Sequence, residues 1–248
     1  MLQNIKKLYG IGLHALDGKI GHVQDFYFDD QDWTVRYVIA DTGSWLSGRQ
    51  VLLSPHAFGS PQEGGRLLQV NLTREQIENS PSIESHMPVS RQYEEEYHRY
   101  YGWPCYWQGG GLWGPNAIPI LETPREALPD KTVATNGSRI KGTDEHLRST
   151  LNVDGYRLEA RDGKIGHVCN FMMDAQSWAI KKLVIKTGHW LAGKEVEIPT
   201  SEIERISYDE STVFVNLTGK MVELSPWHRS ISGDAEITAT ESIQHDLL

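Results

Sequence analysis

Apolar and polar residues alternate over short stretches along most of this chain, and Gly, Asp and Pro separate the stretches. That pattern predicts strands joined by turns. Residues 13–15 read as a short strand ended by Asp17-Gly18, a strong hairpin signal. A second strand is expected over 20–29, a polar turn over 29–32, and a third strand over 34–41 with Val35, Tyr37 and Ile39 on one face. A loop over 42–48, a strand over 50–53, a helical turn at 55–58, a loop over 59–65 and a strand over 66–72 complete the series. Thr73-Arg-Glu-Gln76 has the form of a capping box and predicts a short helix after it.

The series then returns. Asp17-Gly-Lys-Ile-Gly-His-Val23 recurs 145 residues later as Asp162-Gly-Lys-Ile-Gly-His-Val168. The register holds without a gap through Trp33/Trp178, the Thr-Gly-x-Trp-Leu-x-Gly loops of Trp45 and Trp190, and Val51/Val196. From 17 to 51, 17 of 35 positions are identical, against roughly one in fifteen by chance on average usage. The pattern implies an internal duplication. The expected fold is mainly β: two small antiparallel β-barrels, closed or partly closed, closure being what removes the sheet edges that would otherwise aggregate. The units are placed at 1–82 and 150–228, with a connector at 83–149 and an acidic, mobile tail at 229–248.

The connector reads differently. Ser90 can cap a helix over 91–101 that ends at Gly102. Tyr93, Tyr97, Tyr100 and Tyr101 then share a face. A Trp- and Gly-rich stretch with Trp103, Trp107 and Trp113 follows, and residues 119–148 are polar and expected to be mobile. Two uses suit this aromatic segment: joining the barrels or two chains, or receiving a partner or ligand. The Trp45 and Trp190 loops have the same ambiguity, between plugging a barrel end and forming a contact patch.

Composition narrows the chemistry. The net charge is −9, spread evenly, so no basic block offers a nucleic-acid surface. Two cysteines, Cys105 and Cys169, in unrelated contexts leave room for one disulfide between connector and second repeat, but better suit free thiols in a reducing compartment. No apolar run reaches the ~20 residues of a membrane helix, and a cytoplasmic location is expected, with peripheral membrane association open. His22 and His167 are the one histidine pair kept by both repeats, but zinc wants three or four ligands at defined spacing, so they are only weak metal candidates. Asp17, Gly18 and Gly21, with Asp162, Gly163 and Gly166, read as structural, because a strand rather than a helix follows the glycines. No nucleophile–base arrangement stands out, and neither catalysis nor a cofactor is expected.

The repeated series, an Asp-Gly-Lys-Ile-Gly-His-Val turn and strand followed by the Thr-Gly-x-Trp-Leu-x-Gly loop, resembles the PRC-barrel family. Its type members include the cytoplasmic barrel of the photosynthetic reaction-centre H subunit and a domain of a ribosome-maturation factor. The resemblance covers roughly 10–80 and 150–225. The aromatic connector is similar to that of bacterial proteins carrying two such barrels. What the resemblance implies is a scaffold, because the matched positions are those that make the barrel fold. The expected function is binding through protein–protein contacts, with self-association and an unidentified protein partner. The alternative is a peripheral subunit of a membrane electron-transfer complex like the H subunit.

Overall fold

The computed structural model describes residues 1–58, 67–81, 89–120, 147–188 and 193–224. The chain is mainly β and forms two sheets. In the first half, β2 (Gly12–Ala15), the long β3 (Gly18–Asp29), β4 (Thr34–Asp41) and β5 (Gln50–Leu53) pair antiparallel in sequence order. β6 (Leu67–Gln69) lies beside β2. The second half repeats this order at the same 145-residue offset: β8 (Arg157–Ala160), β9 (Gly163–Asp174), β10 (Ile180–Thr187), β11 (Glu195–Pro199) and β13 (Thr212–Val215). It also carries β12 (Ile203–Ser207), paired with β13, which the sequence pattern did not reveal.

Two expectations need correction. The barrels were expected closed or partly closed and antiparallel, and among the described residues no closed barrel is found: each sheet is an open path. The pairings β2–β6 and β8–β13 are parallel. The chain crosses back after β5 and β11, so the last strand runs alongside the first instead of closing on the fourth. The edges are managed in other ways, described below.

The Asp-Gly turn does more than reverse the chain. Asp17 Oδ1 accepts from the backbone N–H of Arg74 (2.8 Å), and Asp162 accepts from that of Gly219 (2.8 Å). Each turn thereby holds the first residue of a short helix, α1 (Arg74–Glu78) or α4 (Gly219–Leu224). Gly18 and Gly163 have positive φ. Gly21 and Gly166 are demanded by close approach: a Cβ there would lie 1.9 Å from Asp41 O and 2.3 Å from Lys186 O.

Each half also completes the other. β1 (Leu2–Asn4) pairs with Met172–Asp174 of β9, and β7 (Leu147–Ser149) pairs with Tyr27–Asp29 of β3. These two strands are themselves 145 residues apart. Each takes the edge of the long strand that β8 or β2 leaves vacant farther along. Leu147 and Arg148 therefore belong to a strand, where the sequence suggested a mobile linker; residues 121–146 and the 229–248 tail lie outside the described residues.

The exchange is reciprocal down to single bonds. Lys6 N donates to Asn170 Oδ1 (3.1 Å), and the equivalent Leu151 N, in α3 (Thr150–Val153), donates to Asp25 Oδ1 (3.2 Å). Val35 N donates to Trp178 O (2.9 Å) and Ile180 N to Trp33 O (2.6 Å). Thr34 and Ala179 bridge between them, on the local twofold. Trp33 and Trp178 both sit at positive φ, 52° and 59°, a conformation costly for a bulky residue that persists only where surroundings enforce it. Here the inter-half bonds to their carbonyls do so.

Candidate functional site

The aromatic segment builds a dense polar cluster against the first half. Helix α2 (Arg91–Tyr101) starts at Ser90, whose hydroxyl accepts from Tyr93 N, and stops at Gly102 in the left-handed region. Its buried face carries Glu94, Tyr97, His98 and Tyr101. Tyr97 Oη donates to Leu52 O (3.0 Å) and accepts from Ser54 N (3.1 Å). A side chain thus satisfies the β5 edge that a closed barrel would have paired.

Beneath it lies a network of polar groups. Tyr37, from β4, donates to Glu94 Oε1 (3.0 Å) and lies 3.1 Å from His98 Nε2. Tyr106 donates to the same Glu94 oxygen (2.7 Å), and Arg91 pairs with the other (3.2 Å). His98 Nδ1 donates to Pro104 O (3.0 Å), which leaves Nε2 as the acceptor of a neutral ring. The Tyr37 proton therefore has two takers. Burial pushes the Tyr37 and Tyr106 phenols well above their usual range and His98 down to about 4, although Glu94 pulls the histidine the other way. The cluster holds its protons and is sealed: Tyr37, Glu94 and His98 are all buried.

Arg36 is the second element. Its side chain is buried, its guanidinium lies 3.9 Å over the Tyr106 ring, and it bonds Leu112 O and Asp32 (3.0 Å). It clamps the Trp-rich stretch to β4, and burial lowers its pKa against the pull of Tyr106, Asp29 and Asp32. Trp113 continues the bridge: its indole N–H donates to Ser177 O (2.9 Å) in the second half, and its ring meets His56 at 5.2 Å. His56 Nδ1 in turn donates to Ile120 O (2.9 Å).

The residues singled out in the sequence thus part company. Tyr97, Tyr101, Trp103 and Trp113 are buried within the chain and join its parts, while Tyr93 and Trp107 are half-buried. Tyr93 donates to Pro81 O. Tyr100, expected on the same face, lies on its flank, 37% exposed, with its hydroxyl donating to Gln76 O. Trp45 is half-buried under the Arg74 guanidinium, 4.6 Å away. Trp190 lies outside the described residues.

His22 and His167 do not meet. They lie at the ends of β3 and β9 remote from the exchanged strands; His22 is half-exposed, 3.6 Å from Asp41, and His167 is exposed. No cluster of three or more metal-ligating side chains occurs among the described residues. Cys105 and Cys169 are free thiols, pushed up to about 11 by burial. No described helix is long and apolar enough to cross a membrane.

Sequence reasoning missed Arg36, His56, Glu94 and His98. One signal was present: Glu94 and His98 are four apart, beside the Tyr93–Tyr97–Tyr101 stripe. Another was the divergence of the repeats at Arg36-Tyr37 against Lys181-Lys182. No model of a known protein family matches the chain, and no curated protein matches it.

Proposed function

We propose that this chain is a non-catalytic scaffold acting through protein–protein contacts, built of two PRC-barrel-type units that arose by duplication. The observation that carries the reading is the reciprocal exchange of β1 and β7, which ties both halves into one body. Such a body presents equivalent loops twice, in a fixed relation, as a scaffold requires. The barrel type rests on the repeated sequence pattern, and so does the reading as a peripheral subunit of a membrane electron-transfer complex.

Tyr37, Glu94, His98 and Tyr106 are engaged with one another or with backbone, which favours a structural use over turnover. Contacts with other molecules then fall to the remaining exposed features, among them the loop after β4 that carries Trp45, and self-association uses the same surfaces. Cross-linking mass spectrometry on the full chain in the cells that make it tests this. Reproducible links from residues 41–49 to other proteins are expected. Links confined to the chain itself at every expression level would overturn the reading.

A further inference from the structure

Two seams run between the halves, related by the local twofold through Thr34 and Ala179. In one, the Phe58 ring lies on Trp178 with centroids 5.4 Å apart, and the indole is buried. The second-half equivalent of Phe58 is Ile203: Phe58 bridges Val70, and Ile203 pairs with Val215, at the common offset. The other seam therefore has an isoleucine where the first has a phenyl ring. There Trp33, the equivalent of Trp178, is only half-buried. Beside it opens a cavity of about 240 Å³ lined by Asp30, Trp33, Ile203, Glu204, Arg205 and Ile206. A cavity of roughly 150 Å³ holds benzene, so a phenyl group fits.

The surroundings say what kind of group belongs there. The Trp33 floor is preset: its ring stacks on Phe28 at 5.6 Å, and its carbonyl is held by Ile180 N. The Asp30 carboxylate is engaged by Tyr208 Oη (2.6 Å) and Arg148 Nε (3.1 Å), and the other two charged lining residues, Glu204 and Arg205, are exposed and of opposite sign, which favours a neutral ring over a cation. Four of the six lining residues belong to β12, whose only strand partner among the described residues is β13. A strand edge without a strand partner among the described residues, beside an aromatic-sized cavity, is the arrangement that binds extended peptides: backbone bonds supply affinity and the cavity selects a side chain.

We propose that the Trp33 cavity receives an aromatic side chain carried on an extended segment of a partner protein, which adds as a strand to the outer edge of β12. This rests on the protein-contact reading and names the chemistry of the partner.

The test uses NMR on the full chain with two probes, the peptide acetyl-Thr-Val-Phe-Val-Thr-amide and its counterpart with Ala for Phe. The Phe peptide is expected to shift the Trp33 indole N–H and the amides of Ile203–Ser207. The Ala peptide should bind at least about tenfold more weakly, since the ring is the part that leaves water. Ile203→Phe, which sets the chain's own ring on Trp33, is expected to keep the native circular dichroism and lose the peptide. No shift at millimolar peptide, equal binding of the two peptides, or undiminished binding to folded Ile203→Phe would each overturn the proposal. So would a response to N-acetyl-phenylalanine amide as strong as to the peptide with the β12 amides unmoved, because the ring alone would then be the ligand. The two titrations on the unmodified chain decide the question without the variant. Failed titrations with the cellular cross-links intact remove this site alone; absent cross-links remove the protein-contact reading itself.

Discussion

The outer faces of β4 and β10 began from one pattern and ended in different environments. In the first half, Arg36 and Tyr37 are buried under α2 and the Trp-rich stretch. In the second, Lys181 is exposed and Lys182 is half-buried, its ammonium 2.8 Å from Glu197 across the strand pair. The backbone is alike, since Val35 and Ile180 make equivalent bonds across the twofold. What differs is the cover. A strand that must fit beneath a helix keeps a ring and a clamped guanidinium; the same strand facing water keeps an ion pair worth little.

The largest expected effect tests that contrast directly. Tyr37→Ala should cost about 3–5 kcal/mol, by cavity formation and by stripping Glu94 and His98 of a shared phenol. Lys182→Ala at the equivalent position should cost about 0.5 kcal/mol or less. Urea unfolding of both variants measures the difference, and similar costs would mean the cover contributes nothing.

Acid should act through the first half in the same way. His98 stays neutral in the folded protein down to about 4, whereas an unfolded histidine takes a proton near 6.5. The unfolded state therefore binds more protons between those values, and stability falls as pH drops through the window. The loss is on the order of 3 kcal/mol, complete near pH 4. Denaturation midpoints across that range should flatten in His98→Gln; an unchanged pH slope would assign the acid sensitivity to other groups.

A smaller effect concerns the exchanged strands. The Asp25 carboxylate accepts from Ser149, from Thr150 (2.9 Å) and from the backbone N–H groups of Phe26 and Leu151. Burial still pushes its pKa up. The equivalent seam has Asn170 for Asp25 and buried Ile5 for Thr150. Thr150→Val should cost about 2–3 kcal/mol, the hydrogen bond it gives a buried charged acceptor and the one it shares with Tyr9 Oη (2.8 Å), with faster amide exchange in β7. A neutral result would mean that the two seams are equally well satisfied without the hydroxyl.

Much of this was legible in the chain. The strands of each half follow from the alternation and the Asp-Gly turns, and α2 from Ser90, the tyrosine spacing and Gly102. The exchanged strands escaped notice because three residues make too short a pattern. Only the repeat offset marks them, through Leu2/Leu147 and the capping residues Asn4/Ser149. The Glu94–His98 network escaped because a charged residue in an acidic run is ordinarily solvated. Its burial depends on Tyr37, 57 residues earlier in the chain.

The sequence by itself determined the local elements, the 145-residue recurrence and the glycines that close approach demands, because turn chemistry and periodicity act over a few residues. Tertiary structure alone decided that β1 and β7 change places, that among the described residues the sheets stay open, and that Arg36 and Tyr37 lie under an aromatic roof while the equivalent Lys181 is exposed. Those outcomes depend on which distant backbone edge and which buried donor each group finds. A strand edge or a carboxylate has the same local sequence whether its partner lies in its own half or across the twofold.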